Sequence, residues 1–381
     1  MNESKEEIHD YGDCEKVKCI DLIAGARPNF MKIAPIIDAL KAAQSKGSPI
    51  KYRLIHTGQH YDRAMSGDFF EQLGIPEPDV NLEVGSGTQA EQTAAIMIRY
   101  EKLLMESKSD VCLVVGDVTS TMACSIVARK LGVPVAHVEG GIRSGDWSMP
   151  EEINRVATDS ITNWFFTTSE TANENLRRSG VTEDRIFFVG NTMIDTLLKQ
   201  IPRLRPPPFW NELDLRSGQY FVMTLHRPAN VDSAHKLLCL LHAIAEGAQG
   251  LPVVFPVHPR TAKNLRAIDG KIPWLHYVDP QGYLEFNYLV MNARGVITDS
   301  GGITEETTVM GVPCLTLRDN TERPETVTIG TNELIGTDPV NLIPALVRLM
   351  DGRWKKGRIP EKWDGQTAPR IVVELERLLL E

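Results

Sequence analysis

Short apolar runs alternate along the chain with longer stretches of helical period, and most of the runs stop at a glycine or a polar residue. In the first half they are Cys19 to Ala24, Tyr52 to His56, Val111 to Val115, Pro134 to Val138, Trp164 to Thr168 and Ile186 to Val189. In the second half they are Tyr220 to Leu225, Val253 to Val257, Leu275 to Val278, Gly295 to Thr298 and Pro313 to Leu317. Runs this short and mostly apolar suit the strands of a parallel sheet, and the stretches between them suit crossover helices. The pattern predicts an α/β protein of two Rossmann-like, doubly wound domains facing a cleft.

The halves meet at Ile201 to Trp210, which contains Pro202, Pro206, Pro207 and Pro208. Prolines lack the amide donor and favour extended backbone, so this stretch reads as a stiff linker. The division is therefore 1–200 for the first domain and 201–365 for the second, in keeping with 381 residues at about 150 per domain. The last stretch, 366–381, reads as a helix from Arg370 to Glu381. Its apolar side is Val372, Val373, Leu375 and Leu378 to Leu380, and it is expected to pack back on the first domain.

Charge then narrows the partners. The chain carries 41 Lys+Arg against 50 Asp+Glu, a net charge of -9, which disfavours nucleic acid as a partner. A small anionic substrate stays open, because a pocket can be cationic in an acidic protein. Met1 to Lys18 is polar where a signal peptide would be basic and then apolar, and no apolar run approaches the roughly 20 residues that span a bilayer. No membrane association is expected. The six cysteines are scattered without metal or disulfide spacing, so they read as reduced thiols in a cytoplasmic protein.

The chemistry-bearing residues collect where the runs end. Gly25-Ala-Arg27-Pro28 with Lys32, Gly116-Asp117 and Glu139-Gly-Gly-Ile-Arg143 do so in the first half. His226-Arg227, His258-Pro-Arg260, Gln281-Gly282 and Asp299-Ser300-Gly301-Gly302 do so in the second. One such turn is ordinary punctuation between a strand and a helix. Seven at one edge call for a ligand. Ser300-Gly301-Gly302 before the helical stretch Ile303 to Met310 offers amides and a helix start to an anion, against the plainer reading of a serine cap and tight turn. His226-Arg227 suits a diphosphate leaving group, against a histidine and arginine in structural pairs. Asp117, Glu139 and Glu151 are candidates for acid/base work, where a solvated surface carboxylate is the usual alternative. His56, His60 and Asp62 are the nearest approach to a metal site, but Gly58 interrupts the helix that would align them, so no metal is expected. Neither a Walker loop nor G-x-G-x-x-G is present, which leaves a nicotinamide cofactor without support.

These residues resemble a known family. Gly25-Ala-Arg-Pro with Lys32, Thr57-Gly-Gln-His60, Gly116-Asp117, His137-Val-Glu-Gly-Gly-Ile-Arg143, Pro150-Glu-Glu-Ile-Asn-Arg155, Gly190-Asn-Thr192, His226-Arg227, Asp299-Ser-Gly-Gly-Ile-Thr-Glu-Glu306, and Arg318-Asp through Glu322-Arg-Pro-Glu325 stand in the order found in the non-hydrolysing UDP-N-acetylglucosamine 2-epimerases. The resemblance implies a glycosyltransferase-B type fold, a homodimer, and interconversion of UDP-N-acetylglucosamine and UDP-N-acetylmannosamine without a cofactor, in cell-surface polysaccharide biosynthesis. It also implies a mechanism: the proton leaves carbon 2 as UDP leaves carbon 1, and UDP adds again to the 2-acetamidoglucal after protonation on the other face.

By the same resemblance Asp117, Glu139 and Glu151 serve the two faces and His226 assists UDP departure. Arg27 and Lys32 hold phosphate, and Ser300, Gly301 and Gly302 cradle the diphosphate. Glu306 holds the ribose, Gln281 and Phe286 lie along the uracil, and Arg323, with Arg143 nearby, completes the anionic site. The chain departs from the family pattern at Asn29, at Tyr61-Asp62 and in His226-Arg-Pro-Ala-Asn230, which bears on activation at a second site and on the choice of sugar more than on the chemistry. Two other outcomes stay in view. One is a hydrolysing relative that releases N-acetylmannosamine and UDP, or an epimerase of a modified UDP-sugar; the other is a glycosyltransferase or silent nucleotide-sugar binder on the same fold.

Overall fold

Two all-parallel sheets account for the apolar runs. The computed structural model describes residues 17–58, 72–257, 259–265 and 272–381. The first sheet holds β1 (Lys18–Ala24), β2 (Ile50–His56), β3 (Val80–Asn81), β4 (Val111–Val115), β5 (Val135–Val138), β6 (Trp164–Thr167) and β7 (Ile186–Phe188), in the order β3-β2-β1-β4-β5-β6-β7. The second holds β8 (Phe221–Thr224), β9 (Val253–Pro256), β10 (Leu275–Val278), β11 (Gly295–Thr298), β12 (Cys314–Thr316) and β13 (Asn332–Leu334), in the order β10-β9-β8-β11-β12-β13. Two Rossmann-like, doubly wound sheets are thus present. The edge strands β3 and β13 have no counterpart among the predicted runs, because Val80–Asn81 and Asn332-Glu333-Leu334 are too short and too polar to register as one.

Both faces of the first sheet are covered. Along β1, Ile20, Leu22 and Ala24 pack into one core with Ile33, Ile36, Ile37 and Leu40 of the helix Arg27–Gln44, while Ile23 points into a second core with Cys112 and Val114. This period-2 division is why both faces of the run are apolar, save Asp21, which is buried and paired with Arg53 of β2 at 2.8 Å.

The proline-rich connection is not wholly extended as predicted. It contains two short 3-10 turns, Ile201–Arg203 and Pro208–Trp210, with Pro202 at the second position of one and Pro208 at the first of the other, where the amide has no partner within the turn to lose. The last helix runs Thr367–Leu380 and starts earlier than predicted. Ala368, Ile371, Val372 and Leu375 join the core of the first sheet, at the i, i+3, i+4, i+7 spacing of one helix face. Val373 and Leu380, predicted on that face, are exposed. Asp195 caps this helix by accepting from the amides of Thr367 and Ala368 at 3.2 and 2.7 Å.

The strand order turns between β1 and β4 in one sheet and between β8 and β11 in the other. Ligands of such sheets bind in the crevice beyond the carboxyl ends of the strands at that turning point. Beyond the ends of β1, β4, β8 and β11 stand, respectively, Lys32 early in the helix Arg27–Gln44, Asp117, His226, and Ser300 with the helix start Gly301-Gly302, so the sequence candidates converge there.

Candidate active site

A cavity of about 570 Å³ opens between the halves. From the first half Lys32, Asp117 and Glu139 line it; from the second, Gln281, Phe286, Ser300, Gly301, Gly302, Glu306 and Arg323. His226 is half-exposed beside it, through Asp299 of the Ser300 loop. Arg143 and Glu151 are not among the lining residues, and the side chain of Arg27 lies outside the described residues, as do His60, Asp62 and His258.

Glu139 is the most constrained of these groups. It ends β5 in the left-handed region, at φ 71°, a conformation that costs a non-glycine residue about 1–3 kcal/mol. Its amide donates to the Phe166 carbonyl at 2.9 Å, which keeps the turn in register with β6. Its Oε2 receives both Lys32 Nζ at 2.7 Å and Arg323 Nη2 at 2.8 Å, and Oε1 is buried with no partner among the described residues. Burial opposes the charge, but Lys32 and Arg323 outweigh it and hold the carboxyl down at about 2. Arg323 reaches Glu139 from the other half, where its Nε sits 2.5 Å from Glu305 and its Nη1 donates to Thr168 Oγ1 at 3.2 Å. Burial raises Glu305 despite Arg323. Arg323 is therefore spent as a bolt between carboxylates of the two halves.

Asp117 follows Gly116, whose φ of 70° turns the chain out of β4. Arg155 fixes the Asp117 carboxylate with Nη2 at 2.6 Å and Nε at 3.0 Å. Of the two neighbouring glutamates in the helix Pro150–Ile161, Glu152 is buried, accepting from Arg155 Nη1 at 2.7 Å and from the amides of Ser144 and Gly145. Glu151 stays half-buried and near enough to Arg227 of the other half to favour its charge. In the second half Asp299 is buried and accepts from His226 Nδ1 at 2.7 Å and from the amides of His226 and Arg227, so the imidazole presents Nε2 away from the carboxylate. Burial opposes the Asp299 charge, and His226 lowers its carboxyl nonetheless.

Three groups escaped the sequence reading as site elements. His137 is fully buried, with Nε2 2.8 Å from the Gly116 carbonyl and Nδ1 2.7 Å from Asp159. Asp159 also accepts from the Gly141 amide at 3.0 Å and pairs with Arg143 at 2.6 Å. This brace ties the Asp117 loop to the Glu139 loop, and it explains why Arg143 turns from the cavity. Arg318 is buried with Nη2 on Glu322 at 2.6 Å, while its Nε and Nη1 have no partner among the described residues. A Cβ on Gly301 would lie 2.4 Å from Glu322 Oε1 and 3.6 Å from Arg318 Nη1, so the glycine leaves room for this pair beside the helix start. Asn29, a departure from the family pattern, accepts from the Gly25 and Ala26 amides and donates to the Val115 carbonyl, which pins the first loop. His56 is buried against Phe30, and burial lowers it to about 4.

Glu306 accepts from Tyr283 at 2.8 Å, yet burial pushes it up to about 7; burial does the same to Glu325, whose oxygens have no partner among the described residues. A carboxyl raised on folding stabilises fully below its unfolded value near 4.5 and loses that contribution as pH rises through about 7. Thermal midpoints should therefore fall from about pH 5.5 to pH 8, and Glu306→Gln should flatten the fall. An equally steep fall in the variant would contradict the assignment.

The family model for UDP-N-acetylglucosamine 2-epimerase matches residues 42–376. The chain belongs to the UDP-N-acetylglucosamine 2-epimerase family. It is 42% identical over 364 residues to the UDP-N-acetylglucosamine 2-epimerase of Methanocaldococcus jannaschii, covering 93% of this chain and 97% of that one. It is 39% identical over 318 residues to the UDP-2,3-diacetamido-2,3-dideoxy-D-glucuronate 2-epimerase of Pseudomonas aeruginosa, covering 82% and 87%. The crystal structure of the Methanocaldococcus jannaschii enzyme in complex with UDP-GlcNAc and UDP superposes with a TM-score of 0.82 at 40% identity, covering 94% of this chain and 99% of that one. The epimerase fold is thus of the glycosyltransferase-B type, and this epimerase is an isomerase by family.

Proposed function

We propose that the protein interconverts UDP-N-acetylglucosamine and UDP-N-acetylmannosamine by eliminating UDP to a 2-acetamidoglucal and adding it back, without a redox cofactor. The observation that carries this reading is one cavity holding carboxylates from the first half opposite a glycine-flanked helix start from the second. Its volume of about 570 Å³ lies in the range for small-molecule sites. Asp117, Glu139 and Glu151 supply the acid and base needed on two faces of carbon 2, since inversion requires a proton to leave one face and arrive at the other. Lys32, Arg27, Arg318 and the amides of Ser300, Gly301 and Gly302 hold the diphosphate, which gains charge as it departs. His226, oriented by Asp299, protonates or polarises it. Glu306 takes the ribose, and Gln281 and Phe286 flank the uracil.

Residues 1–200 form the acid/base domain, 201–365 the UDP-binding domain, and 366–381 the helix that returns to the first. The unpaired thiols Cys19, Cys112, Cys124, Cys239 and Cys314, among the described residues, support a cytoplasmic setting. A homodimer serving cell-surface polysaccharide synthesis follows from the family resemblance; light scattering should give twice the chain mass.

The expected result with UDP-N-acetylglucosamine is an equilibrium mixture of two UDP-sugars with no net UDP. Net release of UDP and free N-acetylmannosamine would favour the hydrolysing reading. Turnover confined to the diacetamido uronate sugar would favour the Pseudomonas aeruginosa-like substrate.

A further inference from the structure

Lys32 and Arg323 both press on one oxygen of Glu139, but they are held differently. Arg323 has three partners, Glu139, Glu305 and Thr168, spread over both halves. Lys32 spends one of its three donors, on Glu139 Oε2 at 2.7 Å, and its side chain is 14% exposed against 3% for Glu139. Its ammonium lies over Gly116, where a Cβ would stand 3.2 Å away, at the edge of the cavity that both residues line. An ammonium on a flexible four-carbon stem can pivot; a guanidinium held at three points cannot.

We propose that Lys32 is an exchangeable counter-ion: it sits on Glu139 as the structure shows, and the diphosphate of a nucleoside-diphosphate sugar draws it off, so that Glu139 reaches full basicity only with a leaving group in place. This rests on the reading of Glu139 as an acid/base group. The same movement puts a cation on the departing phosphate and takes one from the carboxylate, coupling carbon–oxygen cleavage at carbon 1 to proton removal at carbon 2. The charged and titratable groups facing Glu139 are Lys32, Arg323, Glu305 and Glu325. With Lys32 withdrawn, burial and the two carboxyls act against Arg323 alone, which raises the affinity of Glu139 for a proton. An opposite charge at contact lowers a carboxyl by about 1–3 units, and that is the span released.

The test is the proton uptake that accompanies UDP binding, measured by calorimetry in buffers of different ionisation enthalpy between about pH 4 and pH 6. Wild-type protein should take up more protons than Glu139→Gln, increasingly so as pH falls, because UDP's own titration is common to both. Lys32→Met should lose UDP-dependent uptake, since its Glu139 has already been released. Equal uptake in wild type and Glu139→Gln, or unchanged uptake in Lys32→Met, overturns the exchange. Should Lys32→Met fail to bind UDP, the wild-type profiles decide: kcat should fall toward acid at a pH where kcat/KM stays level, and coincident limbs overturn the proposal. Normal turnover by Glu139→Gln would instead remove the acid/base reading itself.

Discussion

Glu139→Gln is expected to slow epimerisation by about 10²–10⁴-fold while UDP still binds, because general acid/base catalysis is typically worth that much. The amide keeps the shape of the carboxylate and can still accept from Lys32 and Arg323. Under the proposed mechanism, what it loses is the ability to exchange a proton with carbon 2. The substitution also leaves Lys32 and Arg323 short of one negative charge at a buried site, although Glu305 remains 2.5 Å from Arg323. Removing one partner of a buried pair costs about 3–5 kcal/mol when nothing compensates, so the remaining carboxylate should keep the loss below that. Calorimetric UDP binding separates the two effects: UDP affinity retained or tightened, since Lys32 is no longer held by a carboxylate, together with lost turnover assigns the defect to chemistry. Wild-type rates in the variant would remove Glu139 from the reaction.

The second large effect is expected at a residue that touches no substrate. Asp159→Asn leaves buried His137 and partly buried Arg143 without the carboxylate that both contact, at 2.7 and 2.6 Å. The cost is about 3–5 kcal/mol, or a fall in thermal midpoint on the order of 10 °C. Its pH dependence fixes the cause. Burial opposes the charge on Asp159, yet His137 and Arg143 hold its carboxyl below the ordinary range. That contribution is present above the unfolded value of about 3.9 and is lost as pH falls through the lower folded value. The gap between wild type and variant should therefore be widest near neutrality and should close in acid. Turnover should fall as well, below the melting range, since the brace positions the Gly116 carbonyl and the Gly141 amide beside Asp117 and Glu139. A variant as stable as wild type at neutral pH would contradict the brace.

Much of the framework was legible because the strands are buried on both faces. Val111 to Val115 stands in the sequence as an uninterrupted apolar run, and the structure makes it the fully buried β4 with those bounds. The edge strands β3 and β13 carried no such signal. Val80–Asn81 is a single pair at the sheet margin, and pairing rather than composition makes it a strand. The proline-rich connection misled for a related reason: a proline that opens a 3-10 turn looks in sequence like one that forbids a turn.

The candidate site was legible where one residue type at a strand end implies a task, as with Ser300-Gly301-Gly302. It was not legible where the task depends on the far half of the chain. The pairing of Arg323 with Glu139 spans a sequence separation of 184 residues, and that of Asn191 with Glu305 spans 114. No local pattern distinguishes a phosphate-binding arginine from one bolted between two carboxylates. His137 and Asp159 were hidden likewise, because a buried histidine on an apolar strand reads as core until its two ring nitrogens are seen to meet acceptors from different loops.

The most direct measurement is proton NMR of UDP-N-acetylglucosamine incubated with the protein in deuterated water. The proposed mechanism requires both UDP-sugars to accumulate with deuterium at carbon 2, and requires the label to vanish with Glu139→Gln. Epimer formed with its original proton retained, or label appearing equally fast in that variant, would contradict it.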